Sequence, residues 1–115
     1  MDSAGEKIAT NIRKGVLEYC VLALLSQREM YGLELANALV ERGLTASEGS
    51  LYPLLARLRE TGAVETRWQT AGEPGGGRAR RYYAITRFGA AQLDTFAGVW
   101  NELSAQVGRL LKEEA

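Results

Sequence analysis

Between positions 66 and 87 the chain carries five arginines, at 67, 78, 80, 81 and 87, against one acid, Glu73. Guanidinium groups gathered this closely, with almost no carboxylate to neutralise them, suit the binding of phosphate oxygens on a polyanion. A run of charge is also what a plain solvated face looks like, so its meaning depends on what holds it. The chain as a whole has fourteen Lys and Arg and fourteen Asp and Glu, a formal net charge of zero. Any polyanion site is therefore local and does not come from overall basicity.

Other chemistries are poorly provided for. There is no histidine, the single cysteine, Cys20, lies in an apolar run, and no Cys, His or carboxylate cluster has metal-ligand spacing. The glycine-rich GEPGGGR at 72–78 lacks the G-x-x-x-x-G-K-[ST] spacing of a phosphate loop and lies between two strand patterns instead of opening a helix. The expectation is no enzyme, no metal and no cofactor.

A second group of residues sits in EGSLYPLLARLRETG, 48–62. Leu51, Leu54, Leu55 and Leu58 follow the i, i+3, i+4, i+7 spacing of one buried helix stripe. At 100° per residue, Gly49, Pro53, Ala56 and Glu60 then point outward, flanked by Ser50, Tyr52 and Arg57. A face this slim suits a helix that slides into a groove, with the hydroxyls of Thr45, Ser47 and Ser50 meeting phosphates. Ser47 and Ser50 serve equally well as simple N-caps. A cap there leaves Pro53 within the first two turns, where its missing N–H costs little.

These residues need elements to position them. From Gly15, the apolar stripe Leu17, Cys20, Val21, Leu24 and Leu25 is joined by Val16, Tyr19, Leu22 and Ala23 on the other side, which describes a central helix. Residues 1–13 show no strong period and are read as either flexible or a short extra helix. A second helix over 31–42 buries Leu35, Ala36, Leu39 and Val40 and stops at Gly43. With the helix after the short link at 43–46, it makes a helix-turn-helix outline. Val64, Thr66, Trp68 and Thr70 then alternate with polar residues, as do Tyr83, Ile85 and their neighbours, around a Gly- and Pro-rich tip at 71–79. Three helices followed by a hairpin describe a winged helix-turn-helix, mainly α with a two-stranded β-hairpin, over 1–87.

Residues 88–115 form a long C-terminal helix. Leu93, Trp100 and Val107 repeat at one heptad position, and Phe96, Leu103 and Leu110 follow three residues later in each repeat. That stripe either folds back on its own domain or pairs with a second copy; the narrow seam and the doubly apolar first helix favour a dimer. Trp100 is bulky for tight two-helix packing, so Trp100 and Phe96 either fill the seam or flank a gap that takes a flat aromatic molecule.

At 115 residues, 46% of them hydrophobic, the chain is long enough for one modest core. A lone cysteine fits a reducing compartment. The longest apolar run, at 19–25, falls far short of the roughly 20 residues of a membrane span, and the charged start lacks a signal pattern. The expected location is cytoplasmic, with no membrane partner.

Three blocks carry a resemblance to the PadR family of transcriptional regulators: RKGVLEYCVLALL (13–25), YGLELANAL through SEGSLYPLLARLRETGAVE (31–65), and GGGRARRYYAITRFG (75–89). With one helix after the wing, the chain is similar to the short subgroup. The resemblance implies a homodimeric winged-helix repressor that reads an inverted repeat in double-stranded DNA and is released by small molecules. It carries the recognition helix onto 47–61, with Ser47, Ser50 and Tyr52 as contacts, and the wing contacts onto Gly76, Arg78 and Arg80. Where the family often has a tyrosine after the glycine opening the second helix, this chain has Leu33, and Tyr31 stands in as the contact. Arg57, flanking the outward face, completes the expected DNA-binding set. Trp100 matches a tryptophan that, in multidrug-binding members, faces its symmetry mate and stacks on planar ligands. The competing expectation is a winged helix that binds another protein and never reads DNA, supported by the neutral net charge and the acidic tail.

Overall fold

The structure is a computed structural model and describes residues 3–45, 49, 51–69 and 79–113. Its first helix, α1 (Ser3–Leu25), is continuous through the region whose sequence shows no strong period, so residues 3–13 are its own first turns. The N-terminal half projects with Ile8 and Ile12 exposed, while Val21, Leu22, Leu24 and Leu25 at the other end are buried. A helix sealed on both faces at one end and open at the other anchors the core and reaches beyond it.

After a short strand β1 (Met30–Tyr31) comes α2 (Gly32–Glu41). Its start is fixed by Glu34, whose Oε1 accepts the backbone N–H of Tyr31 at 3.2 Å while its Oε2 pairs with Arg28 at 3.0 Å. Leu35, Ala36 and Leu39 are fully buried, but Val40, expected inside, is 47% exposed because it lies off the stripe that faces α1. Gly43 takes a φ of 69°, and Leu44 donates its N–H back to the carbonyl of Leu39 at 2.9 Å. This left-handed glycine cap recurs after α3 (Leu51–Glu60), where Gly62 has a φ of 83° and the Ala63 N–H reaches the Leu58 carbonyl. On α3 the inward residues are Leu51, Leu54, Leu55 and Leu58, as the wheel requires.

Strands β2 (Val64–Gln69) and β3 (Arg80–Ile85) pair antiparallel, Val64 opposite Ile85 and Gln69 opposite Arg80. The sheet has three strands in the order β1-β3-β2, because Met30 and Tyr31 pair with Tyr83 and Tyr82. The expected two-stranded hairpin is β2 and β3, and β1 adds a third strand along β3. The extra strand holds two residues, too few to show alternation in a sequence, and Tyr31 is extended because it caps α2. Buried Met30, Val64 and Tyr83 close the core built by the three helices. Each fully buried Leu contributes about 1.5–3 kcal/mol relative to exposure.

Helix α4 (Arg87–Lys112) starts at Thr86, which ties it to the turn after α3. The Thr86 Oγ1 accepts from the Gly89 N–H at 3.1 Å and donates to the Gly62 carbonyl at 2.6 Å, while its own N–H donates to the Ala63 carbonyl. A side chain at Gly89 would put its Cβ 2.1 Å from the Ala63 oxygen, so only glycine lets α4 pass this close. From there α4 runs beside α1 and beyond the core, giving extents of 67 × 34 × 21 Å and a radius of gyration of 17.0 Å. A compact domain of this length has about 13 Å.

Candidate functional site

On α3 the outward side chains are Tyr52, Pro53, Ala56 and Arg57, all exposed. Pro53 is the third residue of the helix, within the turn whose N–H groups have no intrahelical acceptor. Tyr52 is 50% exposed and its ring lies over Gly32, the first residue of α2. A Cβ at Gly32 would stand 3.1 Å from the Tyr52 Cε1 and 3.3 Å from its hydroxyl oxygen, so glycine is what lets the phenol reach the start of α2.

Across from Tyr52 stands the wing, and between them is an open groove of about 530 Å³. Tyr31, Gly32, Leu33 and Tyr52 form one wall; Trp68, Ala79, Arg80, Arg81 and Tyr83 form the other. Arg80 and Arg81 both line it, although strand alternation turns them to opposite faces of the sheet. Trp68 pairs with Arg81 and Thr66 with Tyr83 on the face turned to the helices, whereas Arg67, Tyr82 and Arg80 take the opposite face.

The five arginines are not equivalent. Arg67 is engaged: its Nε lies 3.1 Å from both oxygens of Glu29, its Nη2 closes the pair, and its Cζ sits 4.8 Å from the Tyr82 ring centroid. Hydrogen bonding to Arg67 holds the Glu29 carboxyl below the usual carboxylate range, and the same bond raises the Arg67 pKa. Arg80 stacks on Tyr31 at 4.5 Å and Arg81 on Trp68 at 4.9 Å. Among the described residues neither has a carboxylate partner, nor does Arg87. Arg57 approaches Glu18 of α1 at 3.9 Å with most of its side chain in water, leaving it largely available. Tyr31, Tyr52 and Arg80 of the expected DNA-binding set thus come together on one groove, with Arg57 further along α3. Ser47, Ser50, Gly76 and Arg78 lie outside the described residues.

A second, apolar groove of about 810 Å³ runs between α1 and α4, from Ile12, Val16 and Tyr19 to Phe96, Val99, Trp100 and Leu103. Tyr19 stacks on Phe96, and Phe96 leads to Trp100 with ring centroids 6.0 Å apart. The expected seam divides here. Leu93 packs on its own core and Phe96 is half-buried against α1, whereas Trp100, Leu103, Val107 and Leu110 are uncovered. Cys20 is half-buried, and burial pushes its thiol pKa up, away from the reactive thiolate. No helix among the described residues is long and apolar enough to cross a membrane.

Helix, helix, helix and basic wing, with a slim helix face opposite the wing, define a winged helix-turn-helix, a DNA-binding class of fold. Residues 21–95 match the transcriptional regulator PadR-like family, and the chain belongs to it. A crystal structure of a PadR-like transcriptional regulator from Bacillus cereus strain ATCC 14579 is 40% identical, with a TM-score of 0.79 over 90% of this chain and 99% of that one. A PadR family regulator from Eggerthella lenta DSM 2243 is 29% identical and superposes with a TM-score of 0.87 over 98% and 96% of the two chains. An uncharacterized protein of Lysinibacillus sphaericus is 27% identical over 99 residues, 84% of this chain and 88% of its own. The relatives with an assigned role are transcriptional regulators and not enzymes, and this chain is a DNA-binding regulator of that kind.

Proposed function

We propose that this regulator is a homodimeric repressor of an inverted-repeat operator, released by a planar aromatic molecule bound between α1 and α4. The observation that carries the reading is the uncovered apolar face of α4. Trp100, 41% exposed, together with the exposed Leu103, Val107 and Leu110 extends the aromatic groove along a helix that the described residues leave largely uncovered there. A contiguous apolar stripe on a projecting helix is buried most economically by a symmetric copy. Two wings and two α3 helices then face one side, and they meet successive major grooves about 34–36 Å apart. A dimer seated over two turns occludes the duplex it covers. Tyr31, Tyr52, Arg57 and Arg80, with Ser47, Ser50, Gly76 and Arg78, are the residues proposed to touch DNA. A flat ligand between Phe96 and Trp100 would alter the α1–α4 packing, which sets the spacing of the two α3 helices; it acts by favouring the arrangement that does not fit the operator.

The test combines three measurements. Sedimentation is expected to give a dimer, and duplexes selected from random DNA are expected to share an inverted repeat protected in footprinting. A panel of planar aromatic compounds is expected to include one that releases the duplex and quenches Trp100 in a Trp68→Phe background. A monomer with no duplex preference would overturn the reading and leave a protein-binding winged helix in its place.

A further inference from the structure

The groove between the wing and α2 is bordered by an arginine that alternation hides among its neighbours. Arg81 faces Trp68 across the hairpin, on the sheet face shared with buried Tyr83. Its guanidinium stacks on the Trp68 ring, and its Nε is closed off from water with no hydrogen-bond acceptor. A buried donor without an acceptor is held at a desolvation cost that an arriving oxygen removes. Among the described residues no carboxylate lines this groove; Arg80, Arg81, Trp68 and Tyr52 are among the side chains that do. Arg67, on the other face of the same hairpin, is already neutralised by Glu29.

We propose that Arg81 is a phosphate-binding residue, parked on Trp68 in the free protein and turned onto a backbone phosphodiester when duplex DNA enters the groove. This inference rests on the DNA-binding reading and adds a contact to it. Turning the side chain off the indole ring presents Nε and one Nη together, a two-donor fork that fits two phosphate oxygens. The Tyr52 hydroxyl on the opposite wall supplies a further donor to the same strand. Because a phosphate carries no base identity, the contact strengthens binding to every duplex equally.

The test measures affinity for a selected and a random duplex across a range of salt concentrations. Arg81→Ala is expected to weaken both by the same factor, roughly tenfold, and to lower the slope of log affinity against log salt by about 0.9. Arg81→Lys is expected to keep the slope, and Arg67→Ala to leave it unchanged. Thermal unfolding establishes that each variant is folded. Independently, in a Trp100→Phe background, random duplex is expected to change Trp68 emission as Arg81 leaves the ring. An unchanged slope in folded Arg81→Ala, a loss confined to the selected duplex, or a silent Trp68 each overturns the assignment. If the unaltered protein shows no salt-dependent duplex binding, the DNA-binding reading falls with it; if it binds and Arg81→Ala matches it, only Arg81 is struck out.

Discussion

Tyr19 of α1 lies flat on Phe96 of α4, with ring centroids 4.2 Å apart and planes 6° from parallel. The stack is the hinge of the groove between the two long helices, because the same Phe96 ring leads on to Trp100. Phe96→Ala removes both the stacking and a half-buried ring. Stacking alone is worth about 0.5–1.5 kcal/mol, and the lost burial brings the expected destabilisation to about 2 kcal/mol. Urea unfolding checks the stability, and the Trp100 response to planar aromatics is expected to weaken in the same variant. A variant as stable as the parent would mean that α4 does not rest on α1 through this contact.

At the junction of α3, β2 and α4 the backbones pass close together. Gly89→Ala forces a Cβ into the Ala63 carbonyl, a rigid backbone group, so the expected cost is about 3 kcal/mol, the upper part of the overpacking range. Thr86→Val removes the cap of α4 and the bond to the Gly62 carbonyl while keeping the shape, with an expected cost of about 1–2 kcal/mol. Chemical unfolding followed by circular dichroism measures both. Equal losses in the two variants would argue against the steric account of Gly89.

Much of this architecture is legible in the residue pattern, because short-range periodicity sets it. The leucines of α3 repeat at helical spacing, and a wheel places Tyr52, Pro53 and Arg57 outward without any tertiary information. The same alternation rule separates Arg80 from Arg81. What the pattern hides is pairing over distance. Glu29 and Arg67 are 38 positions apart, so nothing local marks Arg67 as neutralised. The pairing of Tyr31 with Tyr82 is likewise invisible from two residues of strand. The heptad of α4 reads as one seam, yet Leu93 packs on its own core while Leu110 is exposed, because among the described residues α1 runs beside only part of α4.

Gly32 and Tyr52 make a pair whose separation can be tuned. At Gly32→Ala the new methyl meets the far end of a half-exposed ring, which swings aside by a few tenths of an ångström. Stability is expected to hold within about 1 kcal/mol, since alanine in a helix also restricts the unfolded chain. Duplex affinity is expected to fall several-fold as the phenol hydroxyl is shifted from its place on the groove wall. Tyr52→Phe is expected to give a similar loss with unchanged thermal unfolding. Full affinity in both variants would remove Tyr52 from the contact set.

The Glu29–Arg67 pair gives the wing an internal counterion with a definite pH dependence. Its carboxyl pKa in the folded protein is depressed, so whatever stability the pair adds is present above the unfolded-state value. That stability is lost as pH falls through the lower, folded value. The pair is therefore intact at neutral pH and breaks only below the usual carboxylate range, about pH 4. Both groups face water, so the expected effect of Glu29→Gln on unfolding at pH 7 is small. The larger effect is on charge. Glu29→Gln leaves Arg67 without its acid on the face that also carries Arg80, and random-duplex affinity is expected to rise with a salt slope steeper by up to about 0.9. The double variant Glu29→Gln/Arg67→Ala is expected to return the slope to that of the parent. If the single variant binds no more steeply than the parent, the outer face of the wing does not approach the phosphate backbone.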